Sequence, residues 1–422
     1  MNDQTKVSEL AAGIITSPIL SFAGELNARK AKGEKIHNLT IGDFDPEIYP
    51  IPEMLKQATI QAYADNLTNY PGAFGLNNLR RGIQKLIKHY CKVELAVENI
   101  QVASGSRPLI YSVFRSIIDK GDKVLYPVPS WNNDFYSMLA GGSAVEIETR
   151  AENNFMPSKE ELLPHIKDAA LLALCSPQNP TGTVLSKKQL TDICDLVVAE
   201  NLRRADRQKP LYVMFDQVYW LLSFGEDVFF HAESINPAIH DYAIFIDGLS
   251  KSFAGTGVRV GWASGPAHII DKMRTLIAHI GAWAPTPEQY AAGVFLQDLK
   301  AVDEYLADFK EKLKKNLNLL YAGFEAMRNQ GLPVAAIKPE ASIYLSVKID
   351  LIGAKTPDAK SLLSADDIVQ YLLDAAKVAI LPFTWFGAKS HANWFRISIG
   401  TLAENAVDEI LQNIESAITN IR

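Results

Sequence analysis

Between about residues 98 and 265, short apolar runs alternate with longer stretches in which apolar residues recur at helical spacing. The runs Ile100–Ala103, Lys123–Tyr126, Ala170–Cys175, Leu211–Phe215 and Ala243–Ile246 are apolar throughout rather than alternating, which predicts strands covered on both faces. Helical patterns between them predict βα units and a mostly parallel sheet. One helix reads in detail. After Ser104-Gly105-Ser106, the residues Leu109, Ile110, Val113, Phe114, Ile117 and Ile118 form one apolar stripe, with Pro108 in the first turn. Lys120 and Gly121 supply a cation and a stop glycine at its close. A glycine-serine turn from a strand into a helix N-terminus is a place where an anion can sit.

From about residue 300 the chain is amphipathic and charge-rich, predicting a long surface helix from Asp303 to Asn329. Residues 331–422 mix strands and helices again. The expected fold class is α/β: a large domain with a mostly parallel sheet flanked by helices, plus a smaller α+β domain. The expected division is residues 51–300 for the large domain and 301–422 for the small one, joined by the N-terminal segment 1–50. No internal repeat or low-complexity linker interrupts this plan.

Composition narrows the function classes. At 422 residues, 48% hydrophobic and 21% charged, the chain can bury a large core. Lys and Arg total 42 against 48 Asp and Glu, a net charge of −6, which argues against nucleic acid or an anionic membrane as partner. The N-terminus MNDQTKVSEL lacks a signal-peptide pattern, and no apolar stretch approaches the roughly 20 residues of a membrane helix. Cys91, Cys175 and Cys194 are widely separated, fitting structural thiols in a reducing cytoplasm. The eight histidines form no ligand spacing, so no metal site is expected.

Polar residues cluster after the strands: Ser104-Gly105-Ser106-Arg107, Pro129-Ser130-Trp131, Ser176 to Gly182, Asp216-Gln217-Val218-Tyr219, and Ser250-Lys251. Ligands of open parallel sheets bind beyond the carboxyl ends of the strands. Lysine, aspartate, tyrosine and an anion site suit pyridoxal phosphate (PLP). The amine can form a Schiff base with its aldehyde, and a buried carboxylate keeps its ring nitrogen protonated. Asp216 suits the ring nitrogen, and Tyr219 and Asn179 the phenolic oxygen. Ser106, Ser250 and Arg259 suit the phosphate. The glycines of GTGVRVG do not fit a dinucleotide fingerprint, because the third comes one position late.

Asn179-Pro-Thr-Gly182, Asp216-x-x-Tyr219 and Ser250-Lys251 with Arg259 eight residues on resemble the class I/II, fold-type-I PLP aminotransferases over nearly the whole chain. The resemblance implies Lys251 as the Schiff-base lysine and general base, Asp216 as pyridinium partner and Arg259 as phosphate ligand. It implies that Trp131 stacks on the cofactor ring and that Tyr70, in NYPGAFGLNNLR, reaches the neighbouring subunit's phosphate in a homodimer with shared active sites. Gly42, in LTIGDFDP, and Arg396, in WFRISIG, would receive the substrate α-carboxylate. Thr286, in WAPTPEQ, fits either an approach to the neighbouring subunit's phosphate or a plain helix start. The reaction implied is amino transfer from an L-amino acid to a 2-oxo acid through an aldimine and pyridoxamine phosphate.

NIQVASGSRPLI and DGLSKSFAGTGVRVGWASGP resemble the prephenate-type aspartate aminotransferase branch, with Gly248 where other branches carry a serine. Arg107 stands where that branch has a lysine for the distal carboxylate, implying aspartate or another dicarboxylic or aromatic amino acid; Arg107 could instead face solvent or the phosphate. Pro108 and Asn132-Asn133-Asp134 depart from the branch. A C–S lyase or an aminocyclopropane-carboxylate synthase-like enzyme would share nearly all these residues. A non-enzymatic PLP-binding regulatory domain would need a DNA-binding segment ahead of the pattern, which already begins near residue 15.

Overall fold

The computed structural model describes residues 7–225 and 227–421, so the first six residues of the expected N-terminal segment lie outside the described residues. Its largest sheet has seven strands: β1 (Ile100–Ala103), β2 (Lys123–Val128), β3 (Ser143–Glu148), β4 (Ala169–Cys175), β5 (Tyr212–Asp216), β6 (Ala243–Gly248) and β7 (Gly261–Ser264). Their order is β1-β7-β6-β5-β4-β2-β3. Every pairing is parallel except those of β7, which runs antiparallel to both neighbours. The five expected strands are present. The two additional ones lack a continuous apolar run. β3 is an edge strand with Ser143, Ala144, Glu146 and Glu148 exposed, and β7 is only four residues long and begins with glycine.

The central strands are buried almost throughout, which is why their sequences read as solid apolar runs. Their register also aligns the site: Cys175 pairs with Asp216 and Asp216 with Ile246, so β4 and β5 end level with each other and β6 runs two residues further, to Gly248. A second sheet is antiparallel, with β8 (Val334–Ala336), β9 (Tyr344–Ile349), β10 (Leu381–Pro382) and β11 (Trp394–Ser398) in the order β10-β11-β9-β8.

Three helices bear on the site: α1 (Pro18–Ala31), α2 (Ser106–Ile117) and α3 (Leu299–Asn329). α1 buries Phe22 and Leu26 in the cluster that also holds Leu345 of β9 and Ile397 of β11. Just beyond it, His37-Asn38 pairs in parallel with Val378-Ala379. The N-terminal segment is thus packed against the C-terminal third of the chain.

α2 begins as expected after Gly105 but ends at Ile117. Ile118 turns extended and drops its side chain into the core, leaving Lys120 and Gly121 in the following turn. α3 starts four residues before the expected Asp303, because the Asp298 carboxylate accepts from Ala301 N–H at 3.1 Å and caps an earlier turn. Nor is it simply a surface helix. Val302 and Leu306 enter the cluster containing Trp262 of β7, whereas Phe309, Leu313, Leu317, Leu320 and Phe324 enter the one shared with α1 and β9. One helix therefore runs through both cores. Among the described residues no helix is long and apolar enough to cross a membrane.

β7 approaches the turn before α2 so closely that only glycine fits at its start. A Cβ on Gly261 would lie 2.5 Å from the Gly105 carbonyl carbon and 2.8 Å from Ser106 N. Gly261→Ala must push β7 away from that turn. The expected cost is about 1–3 kcal/mol, read as a lower denaturation midpoint in urea with circular-dichroism detection.

Candidate active site

A cavity of about 350 Å³ opens beyond the ends of β4, β5 and β6. Of the residues singled out from sequence, Gly42, Ser106, Arg107, Trp131, Asn179, Asp216, Tyr219, Lys251 and Arg396 all line it. Ser250, Arg259 and Tyr70 do not. Ser250 lies in the helical turn Leu249–Ser252, partly buried, and Arg259 lies behind the turn that starts α2. Tyr70 is 88% exposed, edge-on to Trp283 in a separate surface cleft, far from filling any role within its own chain's pocket. Thr286 opens the helix Thr286–Gln297 and donates from its hydroxyl to Asn69 O at 2.5 Å, so its helix-start position holds.

Lys251 enters from the turn after β6, and its Nζ donates a hydrogen bond to the Gly42 carbonyl. Burial pushes the amine down to about 8; Asp43 and Asp216 favour its ammonium form, and Arg396 and Arg107 oppose it. Asp216, at the tip of β5, is pushed up to about 6 by burial, with the Val218 N–H and Lys251 pulling the other way. One strand over, Asp247 is buried and pushed up to about 8, again chiefly by burial. Its oxygens accept from Trp220 Nε1 at 2.6 Å and Gly248 N–H at 2.7 Å. That contact ties the segment carrying Asp216 and Tyr219 to the strand that leads to Lys251.

The pocket collects cations. Arg396 is buried on β11; it donates through Nη1 to Asn179 Oδ1 at 2.8 Å and through Nη2 to the Thr40 carbonyl. Its guanidinium carbon sits 4.6 Å from the centre of the Tyr344 ring and 5.1 Å from that of Phe386, while its Nε is buried with no partner. Arg107 lies 5.6 Å from the Trp131 ring centre. Arg259 donates to Thr256 O at 2.8 Å and Ser104 O at 3.2 Å, holding its charge against the turn that opens α2. A Cβ on Gly105, whose φ is +85°, would strike that guanidinium. Among the described residues no carboxylate forms an ion pair with Arg107, Arg259 or Arg396. Arg107 and Arg396 beside the Lys251 amine, with Arg259 behind the turn that opens α2, make a site for an anionic ligand.

Several site residues escaped the sequence reading. Tyr344, the first residue of β9, shares a 2.7 Å hydrogen bond with the Tyr219 hydroxyl, and a Cβ on Gly42 would lie 2.7 Å from its oxygen. Ile19, Leu20 and Ala23 of α1 and Ile41 supply apolar lining, and Tyr136 adds a buried ring. Tyr344 looked like ordinary strand, and α1 is far away in sequence; neither carries a local motif. Cys175, expected to be structural, also lines the cavity, with its thiol pushed well up by burial. Cys91 and Cys194 are buried in cores as expected.

The chain is similar to known proteins along nearly its whole length. Residues 34–414 match the family described as aminotransferase class I and II. The "probable aspartate/prephenate aminotransferase" of Rickettsia bellii is 30% identical over 96% of this chain and 97% of its own length. The crystal structure of the aspartate aminotransferase from Rhizobium meliloti superposes with a TM-score of 0.88 at 24% identity, covering 99% of each chain. The aspartate aminotransferase from Thermus thermophilus with maleate superposes with a TM-score of 0.85 at 25% identity, covering 97% of this chain and 99% of that one.

A lysine whose folded-state value lies near 8 rather than 10.5 penalises folding wherever the unfolded chain would be protonated. The penalty is complete below pH 8 and disappears as pH rises from 8 to 10.5. Lys251→Met should therefore raise the melting temperature of the cofactor-free protein by a few degrees at pH 7. Differential scanning fluorimetry against pH should show that gain shrinking across this window.

Proposed function

The chain belongs to the class I and II aminotransferases, and from that premise we propose that its cavity seats pyridoxal phosphate and transfers the amino group of L-aspartate, or a closely related dicarboxylic amino acid, to a 2-oxo acid. The observation that carries this reading is the meeting of Lys251, Asp216 and Arg396 in one cavity from three distant stretches of chain. The donor set fits the cofactor. Asp216 offers a buried carboxylate for a ring nitrogen, Trp131 an aromatic wall, and Asn179 and Tyr219 polar groups for the phenolic oxygen. Ser106 at the start of α2, with Arg259 and Ser250 close to that turn and to Lys251, would hold the phosphate.

When bound, the cofactor supplies an aldehyde that takes up the amino group and a ring that draws electrons from the α-carbon. The protein's side chains do the rest. Lys251, desolvated enough to be neutral in an appreciable fraction near pH 8, can take the substrate's α-proton and return it at the other end of the transfer. Arg396 has a buried, unpartnered Nε and is already oriented by Asn179 and Thr40, so a substrate α-carboxylate completes its bonding without reorganisation. Gly42 lets the Tyr344 hydroxyl approach the backbone there, where any side chain would collide with it. Ile19, Leu20 and Ile41 keep the approach apolar and limit water.

Arg107 supports the dicarboxylate choice: it stands in the cavity with its charge unpaired, and aspartate carries a second carboxylate to meet it. The relative solved with maleate, a dicarboxylate, points the same way. Tyr70 suits a contact with a second subunit, since its ring is exposed and lies beside Trp283, whose indole nitrogen is buried without a partner. A homodimer with shared sites follows from that reading, and sedimentation velocity should give a dimer. Free thiols throughout fit a cytoplasmic location.

The test is the half-reaction. PLP-loaded protein mixed with L-aspartate and no acceptor should lose its visible absorbance and release one oxaloacetate per site, whereas Lys251→Ala should release none. Arg107→Gln should lower kcat/KM for aspartate about 10- to 100-fold, the worth of a charge-assisted hydrogen bond, and leave alanine nearly unaffected. A spectrum that responds to another amino acid but not to aspartate overturns the substrate choice. Continuous release of pyruvate and ammonia from a cysteine conjugate would assign a lyase instead.

A further inference from the structure

The segment after His37-Asn38 does more than line the cavity. Its Gly42 carbonyl accepts the Lys251 amine, and the next residue, Asp43, is fixed from several sides. Asp43 Oδ1 accepts from Thr256 Oγ1 at 2.5 Å and from Phe44 N–H at 2.8 Å. The Asp43 carbonyl presses on Gly400, where any Cβ would collide with it, and Asp45 N–H donates to Gly400 O at 2.9 Å. Thr256 belongs to the glycine turn between Lys251 and Arg259. Asp43 therefore bridges the N-terminal segment and the lysine's own loop.

The charged groups acting on Lys251 come from four places: Asp43 in this segment, Asp216 at the end of β5, Arg107 in α2 and Arg396 in β11. Asp43 directly follows the carbonyl that receives the amine, and its carboxylate is held by Thr256 of the lysine's own loop, whereas Asp216 enters from β5. We propose that Asp43, clamped by Thr256, is a positioning residue that offsets the two arginines and sets how firmly the Lys251 amine holds its proton. Without it, the amine would face Arg107 and Arg396 with only Asp216 in opposition. The device rests on Lys251 being the reactive amine, and it gives the N-terminal segment a role in proton transfer without contact with the substrate. Removing the Asp43 charge should make Lys251 a proton acceptor at lower pH, because a nearby carboxylate favours the ammonium form.

The decisive measurement needs neither cofactor nor turnover, so it is independent of the aminotransferase reading. Cofactor-free protein is trace-labelled with acetic anhydride from about pH 6 to pH 10, and the Lys251 peptide is quantified by mass spectrometry against an exposed lysine peptide. Asp43→Asn should move the labelling midpoint of Lys251 down by about one pH unit, and Asp43→Glu, which keeps the charge, should restore most of it. Thr256→Val, which frees the carboxylate without removing it, should give a smaller downward shift. In the loaded enzyme the acid limb of the aspartate half-reaction should move the same way in Asp43→Asn. An unchanged or raised midpoint in folded Asp43→Asn overturns the proposal. If that variant does not fold, Thr256→Val decides: a downward shift supports the clamp, and none overturns it.

Discussion

Arg396 holds three parts of the chain at one point. It belongs to the small antiparallel sheet, hydrogen-bonds Asn179 in the loop after β4, and hydrogen-bonds the Thr40 carbonyl of the N-terminal segment. Its charge is buried between the rings of Tyr344 and Phe386, and among the described residues no carboxylate forms an ion pair with it. Burying a guanidinium this way is costly unless its donors are satisfied, and one nitrogen is left over. The rest of the cavity follows from that constraint. On the proposed reading a substrate carboxylate would supply what the protein withholds, and the sheets and the N-terminal segment would have to stay in register for the fork to remain aimed.

The same logic runs through Lys251 and Asp216. Each is driven toward neutrality by burial, and each partly restores the other's charge. Asp247 lies one strand further in, bonded to the Trp220 indole, so the carboxylates of β5 and β6 form a graded pair. Groups held this far from their solution behaviour are where proteins place chemistry, and they weaken the fold that carries them. The site is stabilised from elsewhere, by buried strands and by α3 running through both cores.

Much of this was legible in the residues. The strands β4, β5 and β6 declared themselves as unbroken apolar runs because both faces are covered. Lys251, Asp216 and Asn179 stood out because polar clusters after such strands have no structural reason to recur, and Arg259 through its place eight residues beyond Lys251. What stayed hidden had one of two causes. β3 shows only one buried face and β7 is too short to display a period, so neither rises above loop. Tyr344, Asp43 and α1 reach the site by tertiary packing across hundreds of residues, and their local sequences resemble ordinary strand, turn and helix. Arg107 was visible as a charge, but only its place beside Trp131, unpaired, says that it faces the cavity.

The bond between Arg396 and Thr40 joins residues 356 apart in sequence. On a ribosome, the segment carrying Thr40, Gly42 and Asp43 is made near the start of translation, and its anchor is made near the end. Until β11 emerges, α1 and the following segment have no finished sheet to pack on, and their apolar faces stay open through most of synthesis. The large sheet can assemble from neighbouring βα units in the meantime. The pocket's last wall arrives with β11, so a chain interrupted late can hold a well-formed large sheet and still lack the guanidinium that joins it to the N-terminal segment.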